Sequence, residues 1–436
     1  MATQNPRQLL PMLEDENQRL KRAVEELSIL NDLARAIGAS LNSEEIMRTI
    51  IHRSLRAIGA EQGVITLVDR DADDTMKTLV RTNVSSGERE QYHMNQGLLG
   101  WMHINKMPLM INDPARDERF RGEKWEASVR SLLCVPMMVK SRLRGVLTVY
   151  NKRDRGAFTE EDQRLLAIIA AQSAQVIENA RLNESEQALF KVNEELRLAA
   201  TIQGDLLPKG APAITGYDLA GKSVPAQLVG GDYFDFIPLG QPRYALCVGD
   251  VSGKGLSAAL LMSNLQATLR GQSLLEVSPG LCVQRANRLL YQSTSSDKFV
   301  TLFYGILDPE SHTLSYTNAG HDIPYLYHSG GESRRLSNGG VVLSILEEFP
   351  YQEESILLQP GDLLVVYSDG VTEAINPEHE QFGEQRLNSV IGSLREKPAA
   401  EIIDGIINAV RMHAGTAPQR DDITVLVLKR LASSYP

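Results

Sequence analysis

In the second half of the chain, apolar runs of strand length repeatedly begin or end in aspartate. YALCVGD (244–250) and DLLVVYSDG (362–370) run into acids, and DDITVLVLK (421–429) starts from them. Near-continuous apolar runs of this length are the pattern of strands buried on both faces. FVTLFYGILD (299–308) and TLSYTNAG (313–320) predict two more strands. Between YALCVGD and FVTLFYGILD the period changes. LSAALLMSNLQATLR (256–270) puts Leu261, Leu265 and Leu269 on one helical stripe, and LCVQRANRLLYQ (281–292) predicts a second helix. VGGDYFDF (229–236) has the bulk of a core strand, yet carries Asp232 and Asp235 behind two glycines. An ionised carboxylate is costly to bury without a partner, so these acids face either solvent or a cation.

The first half has a different rhythm. Strands are predicted at GVITLVD (63–69), LVRTNV (79–84), LMIN (109–112), SLLCVPMMV (131–139) and GVLTVYN (145–151). The last two, separated by the turn Lys140–Arg144, read as a central hairpin. Ser43 before Glu44, Glu45 and Ile46 reads as a helix N-cap, and Thr159 with Asp162 three residues on reads as another. Upstream, Leu13, Leu20 and Leu27 recur at seven with Asn17, Val24 and Asn31 between them, either a short coiled coil or an amphipathic helix on its own domain. From Thr159 a helix runs on past the domain, with Leu182, Leu189 and Leu196 again at seven and Asn193 between, until Pro208 stops it. Heptads at both ends predict a parallel homodimer with a signalling linker; a solvated spacer is the alternative. The domain plan is an N-terminal coiled-coil helix (1–24), an α+β domain (25–182), a helical linker (183–211) and a second α/β domain (212–432).

Length and composition support this plan and exclude several function classes. At 436 residues two or three domains are expected. A net charge of −10 argues against nucleic acid as a partner and suits a chain that collects divalent cations. Three scattered cysteines (Cys134, Cys247 and Cys282) give neither a disulfide framework nor a thiolate zinc site. MATQNPRQLL lacks the pattern of a signal peptide, and the most apolar helical run (165–177) is too short and polar to span a bilayer, so the expectation is a cytoplasmic protein without a membrane partner.

SLLCVPMMVKSRLRGVLTVYNK and its flanking helices resemble a GAF domain, a small ligand-sensing module. Asn151, Lys152, Phe158 and Asp162 match the spaced motif of cyclic-nucleotide-binding members, with Gln163 where that motif has Glu. In the family this motif braces the fold through a Lys–acid pair, so it speaks for the fold more than for a cyclic nucleotide. The resemblance implies a small-molecule or protein signal at a pocket the sequence does not locate; His93, Trp101 and His103 have no metal-like spacing, and ordinary packing is the better reading.

Asp232, Asp250, Asp369 and Asp421 each sit at an end of, or a kink in, an apolar strand. Singly, each has a plain explanation as a turn or cap residue. Together they would repel one another unless cations stood between them, and hard oxygen donors without clustered Cys or His point to Mg²⁺ or Mn²⁺. VGGDYFD, GDVSGKG, FVTLFYGILD, YTNAGH, PGDLLVVYSDGVTEA and RDDITVLVLK occur in the order found in PPM-type metal-dependent serine/threonine phosphatases of the SpoIIE/RsbU branch, which residues 212–430 resemble. The resemblance implies two packed antiparallel sheets flanked by helices, with two metal ions at one end of the sandwich. Asp250 then resembles the aspartate that bridges both ions, Asp232 and the Val251 carbonyl complete one site, and Asp369 and Asp421 hold the second. Catalysis runs through Asp232 and Asp250, by water activated between the ions and without a protein nucleophile. Asp235, Gly370 and Asp422 are expected just behind the ligands, and His321 in a structural hydrogen bond. One departure is VVLSILEE (341–348), where the family usually has a glycine at or near Ser344.

The resemblance further implies a phosphorylated anti-anti-sigma (STAS) protein as substrate, and a switch element formed by helices 256–270 and 281–292. GKGLSA (253–258) also fits a dinucleotide fingerprint, but Asp250 just before it would repel a pyrophosphate; a P-loop fails because Gly255 follows Lys254. The alternative of another class is a dimeric ligand-sensing module whose phosphatase-like domain is inactive and only docks partners.

Overall fold

The computed structural model describes residues 43–68, 76–83, 96–240, 242–275, 278–295 and 297–432, the backbone alone for 76–83. It divides into two compact units, Met1–Lys191 and Val192–Pro436. The heptad-bearing segment 13–39 and His93 lie outside the described residues.

The first unit contains α1 (Ser43–Ile58), β1 (Ala60–Val68), β2 (Met76–Asn83), α2 (Gln96–Asn105), β3 (Leu109–Ile111), β4 (Leu132–Val139), β5 (Arg142–Lys152) and the start of α3 (Glu160–Leu206). Its sheet is antiparallel in the order β2-β1-β5-β4-β3, with the expected β4–β5 hairpin. The connection is tighter than expected: only Lys140 and Ser141, both at positive φ (47° and 64°), separate the strands, the geometry that two-residue hairpins favour. Alternation along β4 and β5 builds two cores. Leu133, Val135, Leu147 and Val149 face α1 and α3, whereas Leu132, Cys134, Val146 and Tyr150 pack with Leu98, Met102 and Phe120. Burial pushes the Cys134 thiol up to about 12, so it is inert.

The brace expected at the start of α3 is present. Lys152 Nζ lies 2.6 Å from Asp162 Oδ2, the Thr159 N–H donates to that same oxygen (2.8 Å), and the Asp162 N–H returns to Thr159 Oγ1 (3.2 Å), a reciprocal capping box. Ser43 differs from expectation. It is the first helical residue of α1, and its N–H (2.7 Å) and hydroxyl (3.0 Å) both donate to Glu184, whose carboxylate satisfies the helix start in place of a serine cap. Helix α3, 47 residues in all, does run on past the sheet domain and ends at Leu206 before Pro208.

The second unit adds β6 (Tyr217–Val224), β7 (Tyr233–Pro238), β8 (Tyr244–Val251), α4 (Leu256–Ser273), α5 (Pro279–Ser293), β9 (Val300–Asp308), β10 (Thr313–Ala319), β11 (Tyr325–Tyr327), β12 (Ser333–Arg335), β13 (Gly339–Gly340), β14 (Glu354–Leu357), β15 (Leu363–Tyr367), α6 (Asp369–Thr372), α7 (Gly383–Leu394), α8 (Ala399–Ala414) and β16 (Ile423–Arg430). Two sheets result, one ordered β13-β10-β9-β8-β7 with β14 also on β10, the other β12-β11-β15-β16-β6. Phe234, Phe236, Leu246, Val248 and Phe303 of the first meet Leu364, Val366, Leu426 and Leu428 of the second. The outer face of the first sheet is covered by α4 and α5, and that of the second by α7 and α8. This α/β/β/α sandwich explains the apolar runs: in LLVVY, Leu364 and Val366 face the partner sheet while Leu363, Val365 and Tyr367 face helices. Each such side chain contributes roughly 1.5–3 kcal/mol on burial.

Candidate metal centre

Antiparallel pairing brings the acid-bearing ends together. The start of β7 pairs with the end of β8 (Tyr233 with Gly249), and the end of β15 with the start of β16 (Tyr367 with Val425). Asp232 therefore precedes β7, Asp250 and Val251 close β8, Asp369 follows β15, and Asp421 and Asp422 precede β16. Ser368 ties the two sheets at this end: its hydroxyl donates to Asp232 Oδ2 (2.8 Å) and accepts the Thr424 N–H (2.9 Å). Gly231 lies so close to Val251 that a Cβ there would stand 2.8 Å from the Val251 carbonyl oxygen, which is why this position has no side chain.

The electrostatics are those of acids crowded without enough cations. Burial, then the charge of Asp250, raises the Asp232 carboxyl well above its usual range. Burial followed by Asp369 and Asp421 raises Asp250 to about 7. Burial followed by Asp421 and Glu373 raises Asp369 to about 6. Among the described residues, the cationic side chain paired with Asp421 is Lys254, whose Nζ is 2.9 Å from Asp421 Oδ2 and also donates to the Arg420 carbonyl. Among the described residues, no three His, Cys, Asp or Glu side chains are drawn close enough to hold an ion as they stand.

The three residues expected behind the ligands have distinct surroundings. Asp422 Oδ1 accepts the Ala226 N–H (2.7 Å), and its Oδ2 accepts those of Gly231 (2.7 Å) and Asp232 (3.3 Å), so it shapes the segment that presents Asp232. Gly370, in the first turn of α6, packs against the Asp422 backbone. Asp235 is turned toward a helix instead: fully buried, it receives Arg270 of α4 through Nε (2.7 Å) and Nη2 (3.0 Å), the Tyr233 hydroxyl (2.6 Å) and the Phe236 N–H (2.8 Å). Two strand residues separate it from Asp232, and the half-turn per residue of a strand sends it outward to α4.

His321 has the structural hydrogen bond expected of it, Nδ1 to Thr301 Oγ1 at 2.9 Å, and burial lowers its pKa to about 4, so the ring is neutral. It lines a cleft of about 420 Å³ with Asp250, Thr301, Asp322, Arg335 and Asp369. Arg335 is held on the wall by Glu384 (2.8 and 3.0 Å) and by the Tyr325 ring, 4.4 Å from its guanidinium carbon. Ser344, at the family glycine position, takes φ +69°, the left-handed region that favours glycine.

Residues 240–431 match the family model for Stage II sporulation protein E (SpoIIE), and residues 40–178 match that for the GAF domain. The chain carries a GAF domain and a SpoIIE domain. The IcfG protein of a Synechocystis strain is 30% identical over 267 residues, covering 54% of this chain and 41% of that protein. The phosphoserine phosphatase RsbU of Bacillus subtilis is 29% identical over 242 residues, covering 55% of this chain and 71% of RsbU. Among solved structures, the PP2C domain of SiaA from Pseudomonas aeruginosa is 22% identical with a TM-score of 0.48, covering 56% of this chain and 98% of that one. The chain thus spans less than half the length of IcfG.

Sequence reasoning passed over Ser368, Lys254 and Arg270 of the SpoIIE domain. Ser368 and Lys254 stand inside motifs quoted for their acids, SDG and GDVSGKG, and nearness to an acid (next to Asp369, and four residues after Asp250) was the available signal. No helix among the described residues is long and apolar enough to cross a membrane.

Proposed function

We propose that this chain is a metal-dependent protein serine/threonine phosphatase under the control of its GAF domain. The carrying observation is the convergence, from both sheets of the SpoIIE domain, of Asp232, Asp250, Asp369 and Asp421, with Asp232, Asp250 and Asp369 raised by burial and mutual repulsion. An all-carboxylate donor set fits Mn²⁺ or Mg²⁺. In this reading Asp232, Asp250 and the Val251 carbonyl would hold one ion, and Asp250, Asp369 and Asp421 would hold the other, with Asp421 released from Lys254. Two divalent ions held there would supply Lewis-acid activation of water and neutralise the phosphoryl oxygens. The chain's own part is to aim the carboxylates: Asp422 and Ser368 fix Asp232, and the SGKG turn places the Val251 carbonyl. The adjoining cleft would take the phosphoserine or phosphothreonine segment, with Arg335 on its wall.

The likeness to RsbU supports a phosphorylated STAS-domain protein as substrate in a partner-switching pathway. The remaining parts of the proposal are the boundaries 1–24, 25–182, 183–211 and 212–432, a small-molecule or protein signal at the GAF domain, a homodimer through the linker heptads and a cytoplasmic setting.

The test is Mn²⁺-dependent hydrolysis of an aryl phosphate and of a phosphorylated STAS protein by the full chain. Asp250→Asn should abolish turnover, since one carboxylate serves both ions, whereas Asp235→Asn should cost far less. Equal losses at 235 and 250, or no Mn²⁺-dependent hydrolysis with either substrate, would sink this reading and favour the docking-module alternative.

A further inference from the structure

Asp232 is presented by a short segment, Val229–Asp232, that belongs to no helix or strand. Backbone groups in such a segment need partners, because a buried unpaired N–H or C=O is costly. Gly231 and Asp232 give their N–H groups to Asp422. Gly230, also buried, is served from elsewhere. Its N–H donates to Gln203 Oε1 (3.1 Å), and its carbonyl accepts from Gln203 Nε2 (2.6 Å). The side-chain amide thus pairs with both the N–H and the C=O of one residue, as a neighbouring β-strand would. Gln203 lies on α3, near its C-terminal end at Leu206.

We propose that Gln203 is a positioning residue for Asp232. The amide pair fixes Gly230 from one side and the Asp422 carboxylate fixes Gly231 from the other, so the Asp232 carboxylate is aimed only while this turn of α3 is docked. A slide of α3 by one residue, 1.5 Å along and 100° around its axis, would break both hydrogen bonds. The helix that begins at Glu160 in the first unit would then set how readily Asp232 takes a cation, by a contact separate from α4 and α5. This inference rests on the metal-phosphatase reading.

The experiment uses the full chain with Gln203→Leu, which keeps the bulk and removes both hydrogen bonds, and Gln203→Asn, which stays polar but falls one methylene short. Thr201→Ala, whose hydroxyl bonds within its own helix to the Arg197 carbonyl, is the control. Three readouts are taken: amide exchange at Gly230–Asp232 without metal, Mn²⁺ affinity by calorimetry, and the Mn²⁺ dependence of aryl phosphate hydrolysis. Both Gln203 variants should exchange faster at these amides and bind Mn²⁺ about tenfold more weakly, about 1.4 kcal/mol. Their rate at saturating Mn²⁺ should stay within about twofold of the parent, because the cation, once bound, holds Asp232 in place. Unchanged exchange, or faster exchange with unchanged Mn²⁺ affinity, overturns the positioning role while leaving the phosphatase reading intact. A parent chain that binds no Mn²⁺ and hydrolyses nothing overturns both.

Discussion

Replacing Arg270 by methionine should be among the most damaging single changes available in the SpoIIE domain outside the acids themselves. The substitution keeps most of the aliphatic packing on α4 and removes the guanidinium that holds Asp235 at 2.7 and 3.0 Å. Asp235 is fully buried, and stripping the partner from a buried charge typically costs about 3–5 kcal/mol. Two features here reduce that. The Tyr233 hydroxyl and Phe236 N–H still bond the carboxylate, and the Arg270 side chain is 47% exposed, so water can approach. A loss of about 2–3 kcal/mol is therefore expected. Adding Asp235→Asn removes the stranded charge, so the double variant should be more stable than Arg270→Met alone. Optical probes can assign the loss to the right unit. Both tryptophans, Trp101 and Trp125, lie in the first unit, so their emission follows that unit, while far-ultraviolet circular dichroism follows both. In urea, the dichroism transition should move and the tryptophan transition should not. A loss under about 1 kcal/mol, or a double variant weaker than the single one, would refute the account of Asp235 as an obligate charged anchor.

Further expectations follow from other sites. Ser344→Gly should stabilise the second unit by about 1 kcal/mol in the same denaturation assay, since it relieves a left-handed φ of +69° and removes a buried hydroxyl without a partner. Asp250→Asn should gain stability over the metal-free parent as pH rises from about 4 to about 7. The folded parent holds this proton to about 7, above its unfolded value, so it loses stability on ionising through that window and the asparagine does not. A flat difference across that range would remove the crowding argument. Leu189→Asp with Leu196→Asp should convert the proposed homodimer to monomer by light scattering and change regulated activity in the full chain, while Mn²⁺ binding to the isolated second domain survives. Leu189 is 66% exposed in the single chain, so it is available to a second copy.

Much of this architecture is legible in the sequence wherever burial is two-sided. YALCVGD and LLVVY read as strands because both faces are covered, and the Thr159–Asp162 box reads directly from its spacing. The edges do not read. Strand β6 (YDLAGKSV) is largely only half-buried and mixes polar with apolar residues, and β11 to β14 span two to four residues each, too short to show a period. The four aspartates are legible as a set because each breaks an apolar run. What acts on them is not. Gln203, Ser368 and Lys254 reach the site across 27, 136 and 167 positions of chain, and no local pattern marks contacts of that kind. Ser43 misled for a related reason: the group that satisfies its N–H stands 141 residues away.

Asp421 and Asp422 are neighbours with opposite duties. One carboxylate is partly exposed and paired to the Lys254 ammonium, and the other is locked among three backbone amides. The two side chains leave the segment entering β16 in different directions, one to Lys254 and the other to the 226–232 backbone, which keeps these duties apart. Reading frame along this strand, rather than residue identity, therefore decides which acid is available to a ligand. A single-residue insertion between Asp422 and Ile423 would leave the composition of the site almost unchanged and still move Asp422 into the place of Asp421. Relatives could thus keep every acid and lose the centre, so an alignment that slips by one position here would mistake an inactive homologue for an active one.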